Sequence, residues 1–201
     1  MKKSYKRLVI DTATKYIYLA LIIDDLLVDS VYEVGNNDHS VTIMPYLESM
    51  IKKQNISLNQ LDEVIVGVGP GSYTGVRIGV TVAKMIAYLN DISIYKVSSL
   101  ALMASHSNQR YILPLIDARR GNAFMALLEN DKEIKYIKED RLQNIESFKE
   151  SIDLEYEEVI EGEPQIIKII KSDLLELVED VHALVPNYMQ LTEAERNLKN
   201  D

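Results

Sequence analysis

Apolar runs and polar breaks along the first third of the chain predict a three-stranded meander. Residues 7–11, 16–23 and 26–34 are rich in Val, Ile, Leu and Tyr, the composition that suits a half-buried pleated surface. Asp24-Asp25 marks a hairpin turn between the last two. Gly35-Asn36-Asn37-Asp38 reads as a loop, with Asp38 a candidate helix cap. Residues 39–54 then carry apolar side chains at helical spacing, with Ile43, Leu47 and Met50 on one side. Pro45 inside that segment is expected to kink the helix or shift its first turn. A strand at 63–68, a glycine turn, a helix over 75–89, a strand at 92–96 and a helix starting near Ser98 or Ser99 follow.

From Tyr111 the pattern starts again. Leu8-Val9-Ile10-Asp11-Thr12-Ala13 is matched by Pro114-Leu115-Ile116-Asp117-Ala118-Arg119. At the same offset Tyr18-Leu19-Ala20-Leu21 falls on Phe124-Met125-Ala126-Leu127, and charged turns follow both. Self-similarity across two strands and the aspartate between them points to an internal duplication. Each half is then a β-meander followed by helices and further strands. Two such α/β halves leave a cleft between them, with Asp11 and Asp117 at the ends of first strands facing it. Strand ends at a domain junction are common ligand positions.

The helix over 75–89 is apolar on two sides. At about 100° per residue, Ile78, Val82, Met85 and Leu89 form one stripe, and Val76, Val80, Ala83 and Ala87 a second almost opposite. Arg77, Thr81, Lys84 and Tyr88 make a polar strip between them. A surface helix needs one apolar face. The second stripe is therefore expected either to meet a partner or to be covered by helix 39–54. Gly75, Gly79 and Ala83, four apart, are small enough for close helix approach.

The run that launches this helix, Gly69-Pro70-Gly71-Ser72-Tyr73-Thr74-Gly75-Val76-Arg77-Ile78-Gly79, has the look of an anion cradle. It fails the phosphate templates. A P-loop needs Gly at the position of Thr74, with Lys after it. A dinucleotide fingerprint needs Gly at the position of Ser72 or Thr74. A nucleophile elbow fails too, because Gly71 directly precedes Ser72. Ser72 is better read as a helix cap, and the glycines as a tight turn. The three histidines, His39, His106 and His182, have no second ligand at metal spacing.

Net charge is -9 with no basic stripe; Arg119-Arg120 is the densest arginine spot. That disfavours autonomous nucleic-acid binding, which draws on clustered cations. The absence of cysteine excludes a disulfide framework and thiolate chemistry. The basic start is followed by apolar residues that Asp11, Lys15, Asp24 and Asp25 interrupt, so no signal-peptide core forms. A cytoplasmic protein without a membrane segment is expected.

Ile10-Asp11-Thr12-Ala13-Thr14, the glycine run, Ile116-Asp117-Ala118-Arg119 and Pro186-Asn187-Tyr188, in this order and spacing, resemble the TsaB family of bacterial tRNA threonylcarbamoyladenosine (t6A) synthesis, once grouped with the M22 glycoproteases. The resemblance covers about residues 7–190. It implies an α/β, duplicated actin-like or Hsp70-like ATPase fold with ribonuclease H-like halves. The domains are expected at 1–104, carrying the partner-docking helices, and at 105–201, smaller because a helical segment is missing within 155–186. It implies a non-catalytic scaffold that binds and activates a TsaD-like catalytic paralogue, with a TsaE-like ATPase. The product is N6-threonylcarbamoyladenosine at position 37 of tRNA. The resemblance also implies a possible homodimer when alone, and tRNA contact only through the complex. The alternatives are an independent ATP-dependent kinase of the same fold and a metal-dependent glycopeptidase; the latter's His-x-x-x-His pair is absent.

The interface is expected to use His39, Met44, Ile51, Val76, Val80, Ala83 and Ala87. Asp11, Thr12 and Thr14 would be the remains of a nucleotide site, with at most weak ATP or ADP and Mg in the complex. Neither catalytic nor metal-binding residues are expected. Arg119 and Arg120 stand where phosphate-binding relatives favour small residues; they are expected to crowd a phosphate or to pair with Asp117. Where the family continues Leu-Arg after the tyrosine, this chain has Met189-Gln190.

Overall fold

The computed structural model describes residues 4–35 and 39–189; Asp38 and Gln190 lie outside them. The meander is β1 (Lys6–Asp11), β2 (Tyr16–Ile23) and β3 (Leu26–Val34). Asp24 and Asp25 both take positive φ (51° and 64°), as a tight two-residue hairpin turn requires. α1 (His39–Lys53) runs unbroken through Pro45, which lies on its exposed side, so the expected shift of the helix start does not occur. β4 (Glu63–Gly67), α2 (Tyr73–Asn90), β5 (Ser93–Val97) and α3 (Ser99–Ala104) follow. Ser72 caps α2 by accepting the Gly75 N–H at 3.2 Å, and Asp91 ends the helix in the left-handed region (φ 52°).

The second half repeats the plan with β6 (Tyr111–Asp117), β7 (Asn122–Asn130), β8 (Ile134–Asn144), α4 (Ile145–Glu150) and β9 (Glu157–Val159). α5 (Ile166–Ile170) and β10 (Glu176–Leu177) follow. The first sheet is ordered β10-β5-β4-β1-β2-β3 and the second β8-β7-β6-β9. In both, the first strand of the half is central, antiparallel to the next strand and parallel to a later one. The duplication seen in the sequence is thus a duplication of topology. Among the described residues the second half carries only short helices, and the chain then returns to the first sheet through β10, which pairs with β5.

The first sheet is covered on both faces, and strand alternation divides its residues accordingly. Leu8, Ile10, Leu19, Leu21, Val64 and Val66 pack under α1 and α2. Val9, Tyr18, Ala20, Ile22 and Ile65 face the other way, against α3. Every residue of α3 is buried. Its apolar core runs on into Ile112, Phe124, Ala126 and Leu128 of the second sheet, so the two halves share one core.

The run after β4 folds where the backbone can touch the end of β1. Ser72 N–H donates to the Ala13 carbonyl at 2.7 Å. Thr12 is fully buried; its hydroxyl donates to the Gly75 carbonyl at 2.7 Å and accepts the Gly79 N–H at 3.0 Å. One threonine hydroxyl thereby sits on an i, i+4 carbonyl–amide pair of the helix. A Cβ at Gly75 would overlap the Thr12 carbonyl oxygen. Helix propensity alone favours Gly75→Ala by about 1 kcal/mol. The overlap reverses the sign: the variant is expected to lose about 1–3 kcal/mol, the usual cost of overpacking, in equilibrium urea unfolding. A stabilised variant would show that the approach of β1 to α2 is looser than described.

Candidate functional site

A cleft of about 480 Å³ opens between the halves, and both duplicated aspartates line it. They are built alike. Asp11 Oδ1 accepts the Ala13 N–H at 3.0 Å, and Asp117 Oδ1 accepts the Arg119 N–H at 2.8 Å. Each caps the turn that leaves its strand, as Asx residues do. Their surroundings differ. Asp117 is exposed. Asp11 is 8% exposed, and a Cβ on neighbouring Gly67 would collide with its carboxyl.

Asp11 Oδ1 also accepts the Ser99 hydroxyl at 2.9 Å, and Ser99 Oγ in turn accepts the Gly69 N–H at 3.1 Å. One chain of hydrogen bonds therefore ties the end of β1, the glycine turn and the start of α3. Burial raises the Asp11 pKa from 3.8 to about 6, against the opposing pull of the Ala13 and Ser99 hydrogen bonds. Sequence reasoning took Ser99 only as a helix start. Its value as a bridge depends on a contact across 88 residues.

The expected nucleotide residues do not converge on a phosphate. Thr12 is spent on α2 and cannot donate into the cleft. Thr14 reaches the cleft; its hydroxyl accepts the Tyr16 N–H at 3.1 Å and keeps its own hydrogen to donate. Carbonyl oxygens of Thr12 and Ala13 lie against the first turns of α2, the place an anion would occupy. In the second half, Arg119, Arg120 and Gly121 all take positive φ (69°, 56° and 74°). Both arginines are exposed, and among the described residues neither forms an ion pair with Asp117, against expectation.

The far wall is held by tyrosines. Tyr16 and Tyr32 stack with centroids 4.2 Å apart. Their hydroxyls and that of Tyr18 grip the segment after β9: Tyr16 donates to Glu161 at 3.0 Å, Tyr18 to the Pro164 carbonyl at 3.2 Å, and Tyr32 accepts the Gly162 N–H at 2.9 Å. Lys15 pairs with Glu161 at 2.8 Å.

On the opposite face of the first sheet, the expected docking stripe is turned inward. Val76, Val80, Ala83 and Ala87 are between 0% and 3% exposed and pack in the core under the sheet; Ile51 joins them. The two stripes have the same spacing, so periodicity could not rank them. The small residues could have: Gly75, Gly79 and Ala83 mark the side that lies closest to β1. The outward apolar residues of α2 are Met85 (56% exposed) and Leu89 (73%), from the other stripe. On α1, Val41 and Met44 are exposed, and half-buried His39 packs against Gly35.

The polar strip of α2 is occupied by the chain's own tail. Lys84 Nζ donates to the carbonyls of His182 and Leu184 (3.0 and 2.9 Å), and Tyr88 meets His182 edge-on. Asn187 N–H donates to the Val68 carbonyl at 2.7 Å. Tyr188 stacks on Tyr73 at 4.4 Å, and Arg77 Nε donates to its hydroxyl at 2.7 Å. The Pro186-Asn187-Tyr188 motif is thus a strap on the glycine turn.

Residues 31–194 match the model of the family described as TsaD: tRNA N6-adenosine threonylcarbamoyltransferase. Two similar proteins are tRNA threonylcarbamoyladenosine biosynthesis proteins TsaB. That of Bacillus subtilis is 38% identical over 124 residues (61% of this chain, 54% of the relative). That of Escherichia coli is 33% identical over 129 residues (62% and 55%). The chain spans about half the length of these curated relatives. A tRNA N6-adenosine threonylcarbamoyltransferase of Listeria monocytogenes is 28% identical over 115 residues, 55% of this chain and 33% of the relative. Among solved structures, an uncharacterized Pseudomonas aeruginosa protein with similarity to peptidase YEAZ superposes with a TM-score of 0.78 at 19% identity, covering 92% of this chain and 100% of that one. The fold is the duplicated actin-like α/β fold with a shortened second half.

Asp11 yields a signed prediction. Its native pKa, about 6, lies above the ordinary 3.8, so the unfolded chain ionises first. Between those values the native state holds a proton that the unfolded state lacks, and stability falls as pH rises. Above about 6 the full penalty is present, of order 3 kcal/mol for two pKa units at about 1.4 each. Asp11→Asn keeps an oxygen acceptor and removes the charge. It is expected to stabilise the fold by roughly 1–3 kcal/mol at neutral pH and to flatten the pH dependence of urea unfolding. Equal stability of both proteins at neutral pH would mean that Asp11 is not desolvated.

Proposed function

The chain belongs to the TsaD family of tRNA N6-adenosine threonylcarbamoyltransferases, and from that membership we propose that it serves t6A synthesis as a non-catalytic subunit. Its partner is a TsaD-like transferase of the same fold, which it binds and activates, and a TsaE-like ATPase completes the set. The observation that carries the reading is the exposure of apolar side chains on both helices: Val41 and Met44 of α1, Met85 and Leu89 of α2. Apolar side chains left exposed in groups mark interaction sites. A partner of the same fold offers the equivalent helices, so the contact would be a pseudo-twofold one, and a second copy of this chain could take the same place when the partner is absent.

Two further observations support an accessory role. The glycine run is filled by Thr12 and Ala13 and offers no phosphate cradle. The charge of -9 leaves tRNA binding to the complex rather than to this chain alone. No helix among the described residues is long and apolar enough to cross a membrane.

The docking face is tested with Met85→Glu combined with Leu89→Glu. Copurification with the TsaD-like partner is expected to be lost, by tenfold or more in affinity for charges buried in an interface, with thermal stability unchanged. Val80→Asp is the contrast. It puts a charge in the core and should cost several kcal/mol, unfolding the chain rather than only freeing it from its partner. Undiminished binding by the double variant would sink the docking model.

A further inference from the structure

The cleft between the halves has a lining whose charge does not suit a phosphate. Three of its carboxylates, Asp11, Asp117 and Glu161, face one ammonium, Lys15. Lys15 is already paired with Glu161 at 2.8 Å. The floor group, Asp11, is more than nine-tenths buried. Its partners are the Ala13 and Thr12 amides and the Ser99 hydroxyl, all neutral. Among the described residues no lysine, arginine or histidine side chain pairs with it. A buried carboxylate held only by neutral donors is costly to maintain. Above it the walls are apolar and aromatic, with Tyr18, Tyr32, Met103, Leu115 and Ile116.

We propose that this cleft binds a small organic cation, an ammonium group on an apolar or aromatic body, with the charge directed to Asp11 and the body held by the tyrosine wall. The rim already displays the chemistry. Lys15 Nζ lies 5.1 Å from the centroid of the Tyr16 ring while pairing with Glu161. An ammonium between an aromatic face and a carboxylate is a favourable arrangement, more so where water is excluded. Asp11 and the side chains of Tyr18 and Tyr32 line the same cleft. A volume of about 480 Å³ is in the range of small-ligand sites. The site is independent of the docking proposal, because Met85 and Leu89 do not line the cleft.

The experiment titrates the full chain with three molecules of one shape: phenethylammonium, neutral 2-phenylethanol and anionic phenylacetate. ATP with Mg is the fourth ligand. Calorimetry gives the affinities, and amide shifts in NMR spectra give the location. Phenethylammonium is expected to bind about tenfold or more tightly than the alcohol, moving the amides of Asp11, Ser99 and Ile116. Phenylacetate and ATP should bind more weakly still. In Asp11→Asn the advantage of the cation over the alcohol should vanish. Equal affinity for cation and alcohol, preference for phenylacetate or ATP, or shifts confined to residues outside the cleft would each overturn the proposal. The series on the unsubstituted chain decides the matter should the variant not fold.

Discussion

The rest of the molecule depends on the contact between Thr12 and α2. A threonine hydroxyl that bonds both a carbonyl and an amide of one helical turn fixes that helix in distance and in rotation about its axis. Distance follows because the hydroxyl must reach main chain, which only small residues at Gly75 and Gly79 allow. Rotation follows because the bonded pair must face β1. Once those are set, Val76, Val80, Ala83 and Ala87 have to point into the sheet, and Met85 and Leu89 have to point away. The outward face is therefore a consequence of a contact at the opposite side of the helix.

The same contact settles the chemistry of the cleft. Closing α2 over residues 11–13 buries Asp11, places Ser99 beside it and fills the ground in front of the helix N-terminus with carbonyl oxygens. A helix N-terminus attracts anions through its free amides and dipole. Here Ser72, capping Gly75, and Ala13, accepting from Ser72, attend to that end from within the chain. In the second half no long helix among the described residues covers the matching turn, and Asp117 is exposed. Two copies of one strand–turn unit thus end as a buried carboxylate and an exposed one.

Much of this was legible in the sequence because it is local. The bounds of β2 and β3 follow from apolar runs and from Asp24-Asp25, which need no knowledge of the rest of the chain. The duplication was legible because an aspartate recurs at the same place in two strand pairs. The face of α2 was not legible from period alone, since two stripes offset by two residues carry the same spacing. Side-chain size held the missing information: a helix packs its glycines toward the backbone it touches most closely. Thr12 was misassigned for a related reason. A threonine after a strand-end aspartate suits a phosphate donor as well as a helix anchor, and only the position of Gly75 and Gly79 above it separates the two. The roles of Ser99 and of Tyr188 rest on contacts across 88 and 111 residues, which no window of sequence reports.

The strap adds the last constraint. Polar residues on a surface helix ordinarily face water, yet Arg77, Lys84 and Tyr88 hold a return of the same chain. Lys84 takes the carbonyls of His182 and Leu184, and Arg77 sits on the ring of Tyr73 at 4.4 Å while bonding Tyr188. α2 is therefore braced on three sides, by β1 and β4 beneath, by α1 beside it and by the strap on its polar strip. Among the described residues, Met85 and Leu89 lie on the side of α2 that none of these elements covers. Fixing a helix on three sides lowers the ordering cost of any contact on the fourth, since a preorganised surface loses less freedom on binding. The packing that sets the carbonyls of Thr12 and Ala13 against the first turns of α2 also holds the helix that carries Met85 and Leu89 outward.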